Sequence, residues 1–283
     1  MYRTLINARE LHDQRGSKDL VIVDCRFDLA QSHAGESAFV AGHVPGAVYA
    51  HLDRDLSSPI TPTSGRHPLP TPESLARLFS RWGIDASVQV VAYDQDSGAF
   101  AARLWWLLRW LGHEAAAVLD GGWAEWRRSG YEVSTTPATN SPRVFEPHVK
   151  PDLVVTTADV TTLVRDATAR VLDARAPERY AGAVEPIDAV GGHVPGAHNL
   201  PFATTIDGDK HFQPPTELQQ RFTSALGGVA PERSVAMCGS GVTACHLLLG
   251  MEHAGLHGAK LYAGSWSEWI RDSKRPVAKG ASP

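Results

Sequence analysis

Cysteine is scarce in this chain: Cys25, Cys238 and Cys245 are the three it has. They form no C-x-x-C pair and no disulfide framework, which points to a reducing, cytoplasmic setting in which a lone thiol survives. No His/Cys cluster has ligand spacing, so no zinc site is expected, and no cofactor is expected either. An excess of one charge is missing too. Lys and Arg number 27 against 31 Asp and Glu, a net charge of −4, so nothing favours nucleic acid or an anionic membrane as partner. No apolar run approaches the roughly 18–20 residues of a membrane span. Met1 to Leu11 has no signal-peptide apolar core.

What is present is the composition of a folded globular protein, with 43% hydrophobic and 20% charged residues in a chain of 283. That length suggests two domains, each with its own core. The sequence also repeats itself. Leu20 to Asp24 matches Arg170 to Asp173, and Gly42-His43-Val44-Pro45-Gly46-Ala47 matches Gly192 to Ala197. The strand ending at Tyr93 matches the one ending at Met237, and Gly121 to Trp126 matches Gly264 to Trp269. The offset is roughly 150 residues at His43 and His193 and roughly 143 at Trp123 and Trp266. Duplicated domains are expected over 1–135 and 153–283. The linker, 136–152, carries Pro137, Pro142, Pro147 and Pro151 and no periodicity.

Within each half, apolar strand candidates alternate with helical patterns. In the first half the strands are Leu20 to Asp24, one around Val48, Val88 to Asp94 and Ala115 to Leu119; helices are expected at Pro72 to Trp82 and from Ala101. Such alternation predicts an α/β fold, a parallel sheet with helices on both faces, and a site at the carboxyl ends of the strands.

Cys238 falls at such an end. Val235 to Cys238 is a short apolar run, Gly239 and Gly241 follow, and a helix is expected from about Thr243, with Ala244, Leu247, Leu248 and Met251 on one face. A glycine-rich turn at a helix N-terminus can aim several amides at one anion. Making thiolate the main form at pH 7 needs a drop of roughly 2 pKa units, about 2.7 kcal/mol. A helix terminus supplies about 0.3–2 kcal/mol of that, and charge-assisted hydrogen bonds from the loop must supply the rest. A buried core cysteine is the plain alternative, but core packing does not call for Gly-Ser-Gly after it. In the first half Asp94 stands opposite Cys238, so D-Q-D-S-G-A has no nucleophile; a carboxylate ringed by amides would be a structural anion.

The loop C-G-S-G-V-T, followed by A-C-H, resembles the active-site loop of the two-domain rhodanese-like sulfurtransferases, in particular their 3-mercaptopyruvate branch. The resemblance covers nearly the whole chain. It implies tandem rhodanese-like domains, each a parallel five-stranded sheet with helices on both faces, the first non-catalytic and the second catalytic, with the site at their interface. It implies sulfur transfer from 3-mercaptopyruvate, or alternatively thiosulfate, through a persulfide on Cys238. The acceptor would be cyanide or a thiol, such as thioredoxin or a small thiol. Cys238, Ser240, Asp55 and His67 match the family's catalytic group, Asp55 and His67 reaching in from the first half. Arg179 matches its substrate-carboxylate arginine, and Gly239, Gly241, Val242 and Thr243 complete the substrate-binding loop. For Thr243 a helix cap is the structural alternative.

One departure stands out. The family places a second arginine about nine residues after the first; here the chain reads Glu185-Pro186-Ile187-Asp188. One clamp on the donor is therefore expected to be missing. Arg175, His43 and His193 read as structural, and Cys245 as packed. Two other readings stay open. A cysteine phosphatase needs an arginine closing the loop, where this chain has Ala244. An inactive binding module would fit loss of the cysteine, which is present.

Overall fold

The computed structural model describes all residues, 1–283. The chain forms two compact units, each assembled from three stretches. One comprises Met1–Ser58, Leu69–Lys150 and Gly208–Phe212; the other comprises Pro59–Pro68, Pro151–Asp207 and Gln213–Pro283.

The first unit runs β1 (Leu5–Ile6), α1 (Ala8–Gln14), β2 (Leu20–Asp24), α2 (Ala34–Ala41), β3 (Ala47–Tyr49), α3 (Pro72–Arg81), β4 (Gln89–Tyr93), α4 (Ala101–Trp110), β5 (Ala116–Leu119) and α5 (Gly122–Arg128). Its sheet has the order β1-β5-β4-β2-β3, all pairs parallel. Every residue of β4 is buried, so both faces of the sheet are covered, which is why β2 and β4 read as unbroken apolar runs rather than alternating ones. Helix starts follow local chemistry. Asn7 and Glu10 form a capping box at α1, and Thr71 caps α3 with Pro72 in its first turn.

The second unit runs α6 (Thr157–Leu163), β6 (Arg170–Asp173), α7 (Pro177–Tyr180), β7 (His198–Asn199), α8 (Pro215–Leu226), β8 (Ser234–Met237), α9 (Thr243–His253), β9 (Lys260–Leu261) and α10 (Ser265–Trp269). Its parallel sheet has the order β7-β6-β8-β9. Five strands are expected here and four are found. The place of the fifth is held by a single parallel bridge, Val154 to Leu261. The extended stretch is bounded on both sides, by a 3-10 turn at Pro151–Leu153 and by Thr156, which caps α6 in a capping box with Asp159.

The repeat is visible in side chains as well as strands. His43 and His193 are both fully buried. Each stacks on an aromatic ring, Phe39 at 3.9 Å and Tyr180 at 3.8 Å. Each ring nitrogen Nδ1 lies against the backbone carbonyl of that same aromatic residue, at 2.7 and 2.9 Å. Arg26 and Arg175 likewise fork onto Asp24 and Asp173 and lie over Trp123 and Trp266. A constellation present in both units, one of which has no thiol at its loop, is structural.

Residues 135–150 contain no helix or strand. They lie along the first unit, with Phe145 buried and Arg143 paired with Asp19 and Asp85.

Candidate active site

Strand pairing fixes where the two key loops begin. Asp24 pairs with Tyr93 in the first sheet, and Asp173 with Met237 in the second. Asp94 and Cys238 are the next residues, so they leave their strands at the same level.

At Asp94 the loop closes on a carboxylate. Oδ1 accepts from the amides of Asp96 and Gly98, at 3.2 and 2.9 Å. Oδ2 accepts from Phe100 and Ala101, at 2.7 and 3.1 Å. Burial pushes this carboxyl above its ordinary value, and the amides of Ala101, Phe100 and Gly98 limit the rise.

At Cys238 a comparable loop closes on sulfur. The thiol is 2% exposed. Its Sγ accepts from the amide of Gly241 at 3.1 Å and that of Ser240 at 3.4 Å. Gly241 has φ +75°, and a Cβ there would lie 2.4 Å from the carbonyl oxygen of Ala263. No other residue lets the chain turn here and point its amide at the sulfur. The start of α10 braces the loop. The Cys238 amide donates to Ser265 Oγ at 3.0 Å, and the carbonyls of Cys238 and Gly239 accept from the amides of Trp266 and Ser267.

The other residues of the loop divide in role. Val242 is buried. Thr243 is the first residue of α9 and no side chain caps that helix, so a capping role for Thr243 is not what the structure shows. Cys245 Sγ donates to the Gly241 carbonyl within the packed start of α9.

Three further side chains converge on the loop. His67 lies in the Pro59–Pro68 stretch, which belongs to the second compact unit. It is buried, and its Nδ1 sits 2.7 Å from Ser240 Oγ. The stretch is pinned to α10 and the turn after it. The Arg66 amide donates to Ser267 Oγ at 3.0 Å, and Arg271 Nε donates to the Ser64 carbonyl at 3.0 Å. Gly65 is needed there because a Cβ would lie 2.6 Å from the Gly264 carbonyl.

Arg179, in α7, and Arg66, next to His67, both bring guanidinium nitrogens to Gly239. From the point where a Cβ on Gly239 would sit, Arg66 Nη2 is 2.9 Å away and the Arg179 nitrogens Nη2 and Nη1 are 3.6 and 3.7 Å away. Arg179 forks onto Glu185, with Nη2 at 2.7 Å from Oε1. It also donates to Asp188 Oδ2 at 3.1 Å, and Arg66 pairs with Asp188 Oδ1. Burial opposes ionisation of Glu185, but Arg179 and the amides of Asp188 and Ile187 prevail and hold it below the usual range. At Asp188 burial prevails, aided by Glu185, and the carboxyl is pushed up despite Arg66 and Arg179.

The site residue that sequence reasoning missed is therefore Arg66. Asp55 belongs to the first compact unit, where its carboxylate accepts from the His51 amide at 2.8 Å. No group of three or more His, Cys, Asp or Glu side chains could hold a metal ion, and no helix is long and apolar enough to cross a membrane.

A rhodanese-like domain model matches twice, over residues 7–129 and 156–272. The chain belongs to the rhodanese-like family. Its two rhodanese-like domains are accompanied by full-length similarity to named sulfurtransferases. A probable 3-mercaptopyruvate sulfurtransferase of Pseudomonas aeruginosa is 44% identical, over 98% of either chain. A putative thiosulfate sulfurtransferase of Mycobacterium tuberculosis is 38% identical, over 99% of this chain and 98% of its own. Among solved structures, the 3-mercaptopyruvate sulfotransferase SseA from Escherichia coli superimposes with TM-score 0.81 at 29% identity. That match covers 94% of this chain and all of SseA. The fold class and the family expected from the C-G-S-G-V-T loop are thereby established, with the second sheet one strand smaller than expected.

Proposed function

We propose that this rhodanese-like protein transfers a sulfane sulfur from 3-mercaptopyruvate to a thiol or cyanide through a persulfide on Cys238. The observation that carries it is the convergence on one loop of two amides at Sγ and two guanidiniums at Gly239. The amides favour a thiolate, and the guanidiniums suit an anionic donor.

The chemistry follows from those positions. The Cys238 thiolate attacks the donor's sulfur, an S–S bond forms, and the C–S bond breaks. Its electron pair passes to the carbon fragment as the enolate of pyruvate. Ser240 supplies the proton that quenches the enolate, and His67, at 2.7 Å from its Oγ, replaces that proton. The acceptor then attacks the outer sulfur of the persulfide, and Cys238 departs as thiolate. Asp55 enters this mechanism on the family resemblance alone. A thiol such as thioredoxin or a small thiol is the acceptor class, and a reducing cytoplasm the setting, in keeping with three free, buried cysteines.

Thiosulfate is the second reading, and a specific observation favours it. A compact dianion benefits from cations close to the attacking sulfur, and Arg66 and Arg179 both reach Gly239, the residue after Cys238. The same attack then releases sulfite, with no proton needed.

The deciding measurement is the pair of kcat/KM values for mercaptopyruvate and thiosulfate, in wild type, Arg179→Ala and Arg66→Ala. Mercaptopyruvate is expected to be the better donor, and Arg179→Ala to hurt it more than it hurts thiosulfate. A higher kcat/KM for thiosulfate in the wild type would assign the protein to that donor. Mass spectrometry of donor-treated protein should find one added sulfur, on Cys238; a persulfide chiefly on Cys25 would overturn the mechanism.

A further inference from the structure

Asp188 stands where the family resemblance leads one to expect a cation, and its carboxylate is tied to both arginines of the site. Oδ1 pairs with Arg66 and Oδ2 lies 3.1 Å from Arg179 Nη2. The side chain is 5% exposed, so water does little to screen it. With Glu185 also on Arg179, the group holds two positive and two negative side chains. Arg175 also approaches Glu185, with Nη1 3.6 Å from Oε2, but it brings its own partner Asp173, so counting that pair leaves three charges of each sign. The guanidinium pair beside Gly239 is therefore neutralised from behind. Its remaining hydrogen-bonding capacity is not used up: Arg66 Nε is buried and has no hydrogen-bond partner, and none of the bonds of Arg179 uses Nη1.

We propose that Asp188 is a specificity-determining residue, a resident counter-ion that sets how much negative charge the Cys238 site accepts in its donor. The proposal rests on the sulfur-transfer reading for its consequence, though not for its test. The free N–H edges of Arg66 and Arg179 bind the donor's anionic group, while Asp188 subtracts one unit of charge from the field they produce. Coulomb energy scales with the donor's charge. The subtraction therefore weighs about twice as heavily, on a logarithmic scale, against a dianion such as thiosulfate as against a monocarboxylate such as mercaptopyruvate. This gives the chain a means of favouring the carboxylate donor while lacking basic residues directly after the cysteine.

Asp188→Asn keeps the size and one acceptor oxygen and removes the charge. The direct probe is alkylation of Cys238 by iodoacetate, an anion, and by iodoacetamide, its neutral counterpart, followed by mass spectrometry. The rate ratio of anion to neutral reagent should rise about tenfold in Asp188→Asn. Asp188→Glu should stay near wild type. The iodoacetamide rate in the same variants reports whether the loop is intact. With donors, Asp188→Asn should lower KM more than it changes kcat, and should shift the kcat/KM ratio about tenfold toward thiosulfate. An alkylation ratio that is unchanged or lower in Asp188→Asn, with the iodoacetamide rate preserved, would overturn the proposal. Absence of turnover with every donor would sink the sulfur-transfer reading instead, and the alkylation ratio would still judge Asp188.

Discussion

His67 Nδ1 and Ser240 Oγ lie 2.7 Å apart although 173 residues separate them in the chain. The pair is buried, and Ser240 also presents its amide to the Cys238 sulfur. One residue thus offers its amide to the Cys238 sulfur and its hydroxyl to a histidine, as the proposed nucleophile and proton donor require.

That arrangement predicts a donor-dependent defect. The enolate released from mercaptopyruvate needs a proton, and sulfite released from thiosulfate does not. Ser240→Ala and His67→Ala should each lower kcat for mercaptopyruvate by about 10²–10⁴-fold, the usual worth of a positioned acid. With thiosulfate both variants should stay within about tenfold of wild type. Parallel steady-state assays with the two donors provide the check, and equal losses would remove proton transfer from the roles of this pair.

The two glycines of the loop should fail in different ways. Gly241→Ala puts a Cβ at φ +75° and 2.4 Å from the Ala263 carbonyl. It should cost about 1–3 kcal/mol of stability and most of the activity. Gly239→Ala meets only the ends of two flexible side chains, Arg66 at 2.9 Å and Arg179 at 3.6 Å. It should leave Tm near wild type and raise KM for anionic donors. Thermal melts beside KM values separate the two.

Asp94→Asn should destabilise the fold without affecting the chemistry of Cys238 directly. An amide group offers one acceptor oxygen where the carboxylate offers two, so the amides of Phe100 and Ala101, or those of Asp96 and Gly98, lose their acceptor. The expected loss is about 1–3 kcal/mol, measured by denaturant unfolding at neutral pH. A variant as stable as wild type would mean that the loop does not depend on its anion.

Cys25 should be nearly inert. Burial raises its thiol well above the ordinary value, and Asp24, Asp94 and Asp55 raise it further. Its thiolate therefore becomes available only at high pH. Iodoacetamide at pH 7 should label Cys238 well before Cys25, and Cys25→Ser and Cys245→Ser should keep most activity. Peptide mapping of the labelled protein reads the order.

Much of this architecture is legible in the sequence because short apolar runs and repeated landmarks report local structure. Leu20 to Asp24 and Arg170 to Asp173 are strands to the residue, and α9 starts at Thr243. The helix α2 was not legible: A-G-E-S-A-F-V-A carries no apolar stripe, and only Gly35 and Phe39 are buried. The fifth strand expected in the second unit is reduced to one bridge because only Val154 and Val155 lie between the 3-10 turn Pro151–Leu153 and the cap at Thr156. Arg66 was out of reach for a different reason. It sits in a loop rich in Pro, Ser and Thr, where an arginine has no pattern to mark it, and its place beside Gly239 depends on chain pairing over a long sequence distance. Asp188 read only as the loss of an arginine. That it bonds the two arginines of the site follows from geometry alone.

The make-up of the second compact unit has a consequence for inheritance. Cys238 is encoded in the second half of the coding sequence, while Arg66 and His67, which complete its surroundings, are encoded in the first. A recombination event that parted the two halves would hand one descendant the thiol and the other its companions. The half that carries Asp94 at the position of the thiol cannot then be shed without shedding residues 59–68. Duplication made the halves alike, and residues 59–68 make them inseparable.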